Sequence, residues 1–111
     1  MPLLDTKTIE AKEPLPGWPG RFFNSETMTF GYYNTEEGAD LHEHSHPNEE
    51  IWHVIEGELE VTIGCEVHIA GPGMVAMVPP DTLHSVKVLS AGRVIVVDHP
   101  RRESIGGVKT S

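Results

Sequence analysis

From Thr27 onward, apolar and polar residues follow a period of two over short runs. Met28, Phe30 and Tyr32 alternate with Thr29, Gly31 and Tyr33, as expected of a strand whose successive side chains point to opposite faces. Leu59, Val61 and Ile63 share one face, and Glu58, Glu60 and Thr62 the other. Together with the preceding Ile51-Trp52-His53-Val54-Ile55, and with Glu56-Gly57-Glu58 as the turn, this predicts a half-buried hairpin over 51–63. Further strands are predicted at 66–69, 74–78, 84–89 and 93–98. They are separated by Gly64-Cys65, Gly71-Pro72-Gly73, Pro79-Pro80-Asp81 and Ser90-Ala91-Gly92, because Gly supplies unusual backbone angles and Pro gives no N–H to a ladder. No window of about 11 residues carries a helical period. The pattern amounts to roughly eight or nine short strands, whose edges must be hidden in a barrel or a double-sheet jelly roll. The expected class is all-β, a single antiparallel domain.

The two ends of the chain read differently. Pro14, Pro16 and Pro19 surround Gly17, Trp18 and Gly20, which predicts an arm over residues 1–26 without much regular structure. A tryptophan is wasted in a free tail, so this arm is expected to lie on the barrel or on a second subunit. The barrel is assigned to 27–103. Residues 104–111, rich in Gly, Ser, Thr and Lys, are expected to be a flexible tail.

Charge and composition narrow the partners. With 111 residues, the chain fits one domain with a modest core. Its 17 Asp and Glu against 8 Lys and Arg give a formal net charge of -9. Such a field repels nucleic acid and anionic membrane, and neither is an expected partner. The single Cys65 excludes an intrachain disulfide, fits a reducing compartment and reads as a surface thiol in a turn. The start, Met1-Pro2-Leu3-Leu4-Asp5, lacks the basic and apolar regions of a signal peptide, and no run approaches the ~20 apolar residues of a membrane helix. A cytoplasmic protein is expected.

The chemistry gathers on histidine. Four of the seven histidines, His42, His44, His46 and His53, fall within twelve residues. On a strand, His44 and His46 project from the same face. Glu50 has the same parity, although Pro47 disturbs the alternation and leaves Glu49 open as well. His84 opens a later strand directly after a Pro-rich turn. Imidazoles with one carboxylate form a borderline donor set that suits iron(II), manganese(II), nickel(II), zinc(II) or copper(II). Four protein ligands leave positions for water or substrate, as catalytic sites do. Trp52 and Val54 share the parity of Glu50 and are candidate cavity walls, as is one face of residues 74–78. His42 is a candidate to orient a ligand or to sit at the rim, and at most one of Tyr32 and Tyr33 can present a hydroxyl to the cavity.

The spacing is recognisable. Gly38, five residues, His44-x-His46, three residues, Glu50, six residues, Gly57 resembles the first cupin motif at every fixed position. Gly73, five residues, Pro79-x-Asp81, two residues, His84 is similar to the second, with Asp81 in place of a glycine and Val88 in place of an asparagine. Fifteen residues separate Gly57 from Gly73, the short gap of compact microbial members. The resemblance, to the small single-domain RmlC-like cupins, covers residues 27–98. It implies an antiparallel barrel with a metal near one open end, often a homodimer, with His44, His46, Glu50 and His84 as ligands. A narrower likeness links His44-Ser45-His46-Pro47, residues 56–64, Pro79-Pro80, His84-Ser85-Val86 and Pro100-Arg101-Arg102-Glu103 to small cupins that open the ring of unsaturated uronates. Those enzymes carry glutamine at Glu50 and an aspartate near Val96; Asp98 keeps the facing, and Arg102 matches an arginine of that group. The expected function is a metal-dependent enzyme acting on a small oxygen-rich molecule, with dioxygenase chemistry favoured. Asp98 is the candidate acid or base and Arg102 the candidate anion contact. The alternatives are ring opening or isomerisation of sugar acids, and a metal or small-ligand binding module without turnover.

Overall fold

The computed structural model of the chain describes residues 3–111. Nine strands follow in order: β1 (Gly20–Asn24), β2 (Thr29–Thr35), β3 (Asp40–His44), β4 (Glu49–Ile63), β5 (Glu66–Ala70), β6 (Val75–Val78), β7 (His84–His99), β8 (Ser104–Ile105) and β9 (Val108–Lys109). Helical structure among the described residues is limited to one 3-10 turn at Thr6–Thr8. All pairings are antiparallel. None of the helical residues forms a span long and apolar enough to cross a membrane.

Two long strands organise the whole. β4 and β7 pair along their length, from Glu49 opposite His99 to Ile63 opposite His84. Each then splits its remaining edge. The first half of β4 takes β6 and the second takes β5; the second half of β7 takes β2 and the first takes β3. The result is two sheets, β1-β2-β7-β4-β6 and β3-β7-β4-β5, sharing the two long strands. Trp52, Val54, Val94 and Val96 from one sheet and Leu59, Val61, Val86 and Val88 from the other bury into one core. This is the double-sheet jelly roll that the alternation predicts.

The predicted hairpin over 51–63 and the separate strands at 84–89 and 93–98 are corrected by this arrangement. The register shifts between Val54 and Leu59, where the two long strands bend past one another. Gly57 has a φ of 84°, and a Cβ there would lie 2.7 Å from the carbonyl oxygens of Ser90 and Ala91. A Cβ on Gly92 would collide with the Glu56 carbonyl. These glycines therefore mark a close backbone crossing, a role sequence punctuation shares with tight turns.

The ends also depart from expectation. Strand structure begins at Gly20, ahead of Thr27, because Arg21-Phe22-Phe23 pairs with Gly31 and its neighbours. Trp18 is buried and packs edge-on against Tyr33 and Trp52. Residues 104–111, expected to be frayed, instead make the β8-β9 hairpin, which ends in the buried Thr110. Two-residue strands leave almost no alternation to read.

Candidate metal centre and its cavity

The bend in the long strands builds the site. His84 opens β7 and Asp98 lies near its end, about 45 Å apart on a straight strand at ~3.3 Å per residue. Yet Glu50, cross-strand partner of Asp98, places Oε1 3.2 Å from His84 Nε2. β3 ends on His44, which pairs with His84; their ring centroids are 4.2 Å apart. His46 follows in the link to β4, and its Nε2 is 3.3 Å from Glu50 Oε2. One ring nitrogen each from His44, His46 and His84 lie within 4.8 Å of one another, as do donor atoms of His46, Glu50 and Asp98.

Hydrogen bonding sets which nitrogens face inward. His44 Nδ1 meets the His42 carbonyl at 2.9 Å, and His84 Nδ1 meets that of Thr82 at 2.8 Å. A carbonyl only accepts, so both Nδ1 atoms carry the proton and both Nε2 atoms present a lone pair. Backbone anchoring of this sort orients histidine ligands in metal sites. Neither ring nitrogen of His46 has a hydrogen-bond partner, nor does His84 Nε2 despite its approach to Glu50, although all are buried. Orphaned buried polar atoms cost about 1–3 kcal/mol each. Donors around one ion at ~2.1 Å stand about 3–4 Å apart, which matches the 3.2 and 3.3 Å separations about Glu50. The residues present therefore fit a divalent transition metal.

The carboxylates are divided by their surroundings. Burial pushes Glu50 up, but contacts from His46, His84, Asp98 and the Trp52 indole hold its carboxyl well below the usual range; Trp52 Nε1 donates to Oε1 at 2.6 Å. Asp98 goes the other way, to about 9, through burial and the neighbouring Glu50 charge. Arg102 Nη1 reaches Glu50 Oε2 at 3.5 Å and Asp98 Oδ2 at 3.8 Å. Burial lowers His44, whereas in His84 it is outweighed by Glu50 and the Thr82 carbonyl, which raise it. The Tyr33 phenol is held protonated, chiefly by burial.

These groups open on a cavity of about 190 Å³. His44, Glu50, Asp98 and Arg102 line it, with Trp18, Tyr33, Trp52, Leu41 and Val96 as walls and Leu15 and Ile105 supplied by the ends of the chain. Glu50 is buried while Glu49 is exposed, which settles the parity. Tyr33, not Tyr32, is the cavity tyrosine, and His42 reaches the wall while its carbonyl anchors His44. Residues 74–78 do not line this cavity: Val78 belongs to the core, and Met74, Val75 and Met77 are exposed. Val54 is likewise core. Leu15, Leu41 and Ile105 were not expected, since isolated apolar residues at strand ends or in loops carry no periodic signal.

The cupin domain family model matches residues 31–100. The chain belongs to the cupin family. Among solved structures, this cupin is similar to an RmlC-like cupin from Shewanella frigidimarina, at a TM-score of 0.86 and 20% identity over 93% of this chain and 94% of that one. It is also similar to KdgF from a Halomonas species, at 0.83 and 22% over 89% and 93%. A deletion mutant of the Bacillus subtilis oxalate decarboxylase OxdC matches at 0.81 and 20%, over 92% of this cupin but 30% of the larger chain. At these identities the likeness concerns the fold.

Proposed function

We propose that this cupin is a metal-dependent enzyme in which His44, His46, His84 and Glu50 hold one divalent ion beside a small organic substrate. The observation that carries this reading is the fixed tautomer of His44 and His84, which turns two lone pairs toward the orphaned His46 and the ionised Glu50. When bound, such an ion supplies Lewis acidity or a centre for oxygen activation, and the three-His-one-Glu set favours iron or manganese and oxygenase chemistry. Arg102 offers the anion contact. Asp98, whose carboxyl is raised by burial and by the neighbouring Glu50, is the group placed to give a proton and take one back. The Trp52 indole holds the Glu50 carboxylate in one orientation.

Cavity composition favours this reading over the sugar-acid one. Val96 stands in the wall near where the uronate-opening cupins have an aspartate, and Leu15, Leu41 and Ile105 extend the apolar surface. Sugar hydroxyls buried against these side chains would lose hydrogen bonds to water without replacement. Elemental analysis of freshly purified protein is expected to find a first-row metal that His84→Ala does not retain. Oxygen uptake with catechols, thiols and 1,3-diketones, set beside absorbance loss of unsaturated uronates, distinguishes oxygenase from ring opener. Silence in both assays from metal-replete protein would support a binding module instead.

A further inference from the structure

The two ends of the chain meet over the cavity. Leu15 and Pro14 of the arm and Ile105 and Gly106 of the β8-β9 hairpin all line it. The contact is tight: a Cβ on Gly106, whose φ is 56°, would lie 2.7 Å from the Pro14 carbonyl oxygen. Lys12 Nζ donates to the Lys109 carbonyl at 2.9 Å, tying the same two segments together.

The hairpin is anchored by one buried hydroxyl. Thr110 Oγ1 donates to the Arg102 carbonyl at 2.6 Å and accepts from Asn24 Nδ2 at 3.1 Å. Thr29 Oγ1 accepts the Arg102 N–H at 2.9 Å and itself donates to Asn24 Oδ1 at 2.5 Å. Thr29 and Thr110 are each only 1% exposed. Both backbone polar groups of Arg102 are thus clamped, and its guanidinium is left beside Glu50 and Asp98. A long, rotamer-rich side chain gains directional accuracy when its backbone cannot swing.

We propose that the hairpin 104–110 is the specificity element of this cavity, with Thr110 as the positioning residue for Arg102 and Ile105 as a wall selecting a small acid with an apolar body. The inference rests on the metal-enzyme reading above and names its substrate class. Size supports it, since about 190 Å³ lies below the ~300–1,000 Å³ of drug-sized sites. Geometry supports it as well: Arg102 lines the cavity, and its backbone is held by Thr110 and Thr29, so a cationic fork faces the space beside Trp52 and Ile105.

The test uses zinc-loaded protein containing residues 1–111 and intrinsic fluorescence. Both tryptophans of the chain, Trp18 and Trp52, line the cavity. Benzoate is expected to change the emission saturably, with benzyl alcohol and galacturonate at least tenfold weaker. Thr110→Val should weaken benzoate about tenfold, with the zinc isotherm unchanged and Thr110→Ser restoring binding. Ile105→Ala should shift preference from benzoate toward 3-phenylpropionate. Normal zinc binding with benzoate affinity indifferent to Thr110→Val, or equal affinity for all three first probes, overturns the inference alone. Wild-type protein that takes up no zinc overturns the enzyme reading and this inference together.

Discussion

Glu50 touches more of the site than any other side chain, and at His84, with the Thr82 carbonyl, it outweighs the effect of burial. By holding a proton on His84 above the ordinary imidazole value, it places proton and metal in competition at that ring. Metal affinity is therefore expected to start falling above the ordinary imidazole value of ~6.5 as pH drops. In Glu50→Gln the onset of that fall should move to lower pH, although the affinity itself is weaker; calorimetric titrations at several pH values check both. Losing a ligand outright in His84→Ala should cost more than the ~10–100-fold typical of second-shell changes, with the circular dichroism of the barrel preserved. Asp98 behaves oppositely to Glu50. Its folded pKa of about 9 lies above its ordinary value, so its contribution to stability is full below ~3.9 and is lost as pH rises toward 9. Metal-stripped Asp98→Asn is accordingly expected to melt higher than the unsubstituted protein at pH 8 and no higher at pH 4. At this scale the histidines were legible because parity and motif spacing agree. The anchoring carbonyls of His42 and Thr82 were not, since any residue supplies a carbonyl.

Strands were read well where one face is buried and poorly where the chain bends. The alternation of Leu59, Val61 and Ile63 predicts their side of the sheet, yet Gly57 and Gly92 look like turn residues from sequence alone. Their function is to let β4 and β7 cross closely enough for His84 and Asp98, at opposite ends of one strand, to approach the same Glu50. Gly92→Ala should therefore cost several kcal/mol, the upper range for single substitutions, and should lose metal along with stability, which thermal melts with and without zinc would show. The turn before β7 is informative too. Asp81 is the single non-glycine with positive φ among the described residues, at 57°, and it occupies the position where the motif has glycine. Its N–H donates to the His46 carbonyl at 2.8 Å. Asp tolerates this conformation; a β-branched residue does not. Asp81→Val is expected to lower stability by about 1–2 kcal/mol and Asp81→Gly to leave it nearly unchanged, by urea denaturation.

For the whole molecule, fold class was legible because turn signals recur at short intervals throughout the chain, whereas long-range closure was not. Nothing in residues 104–111 announces that they pack on an arm nearly a hundred positions earlier. The outer surface also carries information. Val67 and Ile69 on β5 and Met74, Val75 and Met77 at β6 are between 48% and 66% exposed, on strands that follow the same edge of β4. Apolar rows of this kind mark association surfaces. The homodimer implied by the family resemblance is expected to form there, with light scattering giving twice the chain mass for the wild type and the chain mass for Met77→Glu.

The long reach of the closing contacts bears on how the protein is made. Lys12 bonds to Lys109 and Asn24 to Thr110, across 97 and 86 residues. During synthesis these pairs cannot form until residues 109 and 110 have cleared the ribosome, when both sheets can already be assembled. Without residues 104–110 the cavity would lose Ile105 and Gly106 from its wall, and Arg102 the hydroxyl that holds its carbonyl.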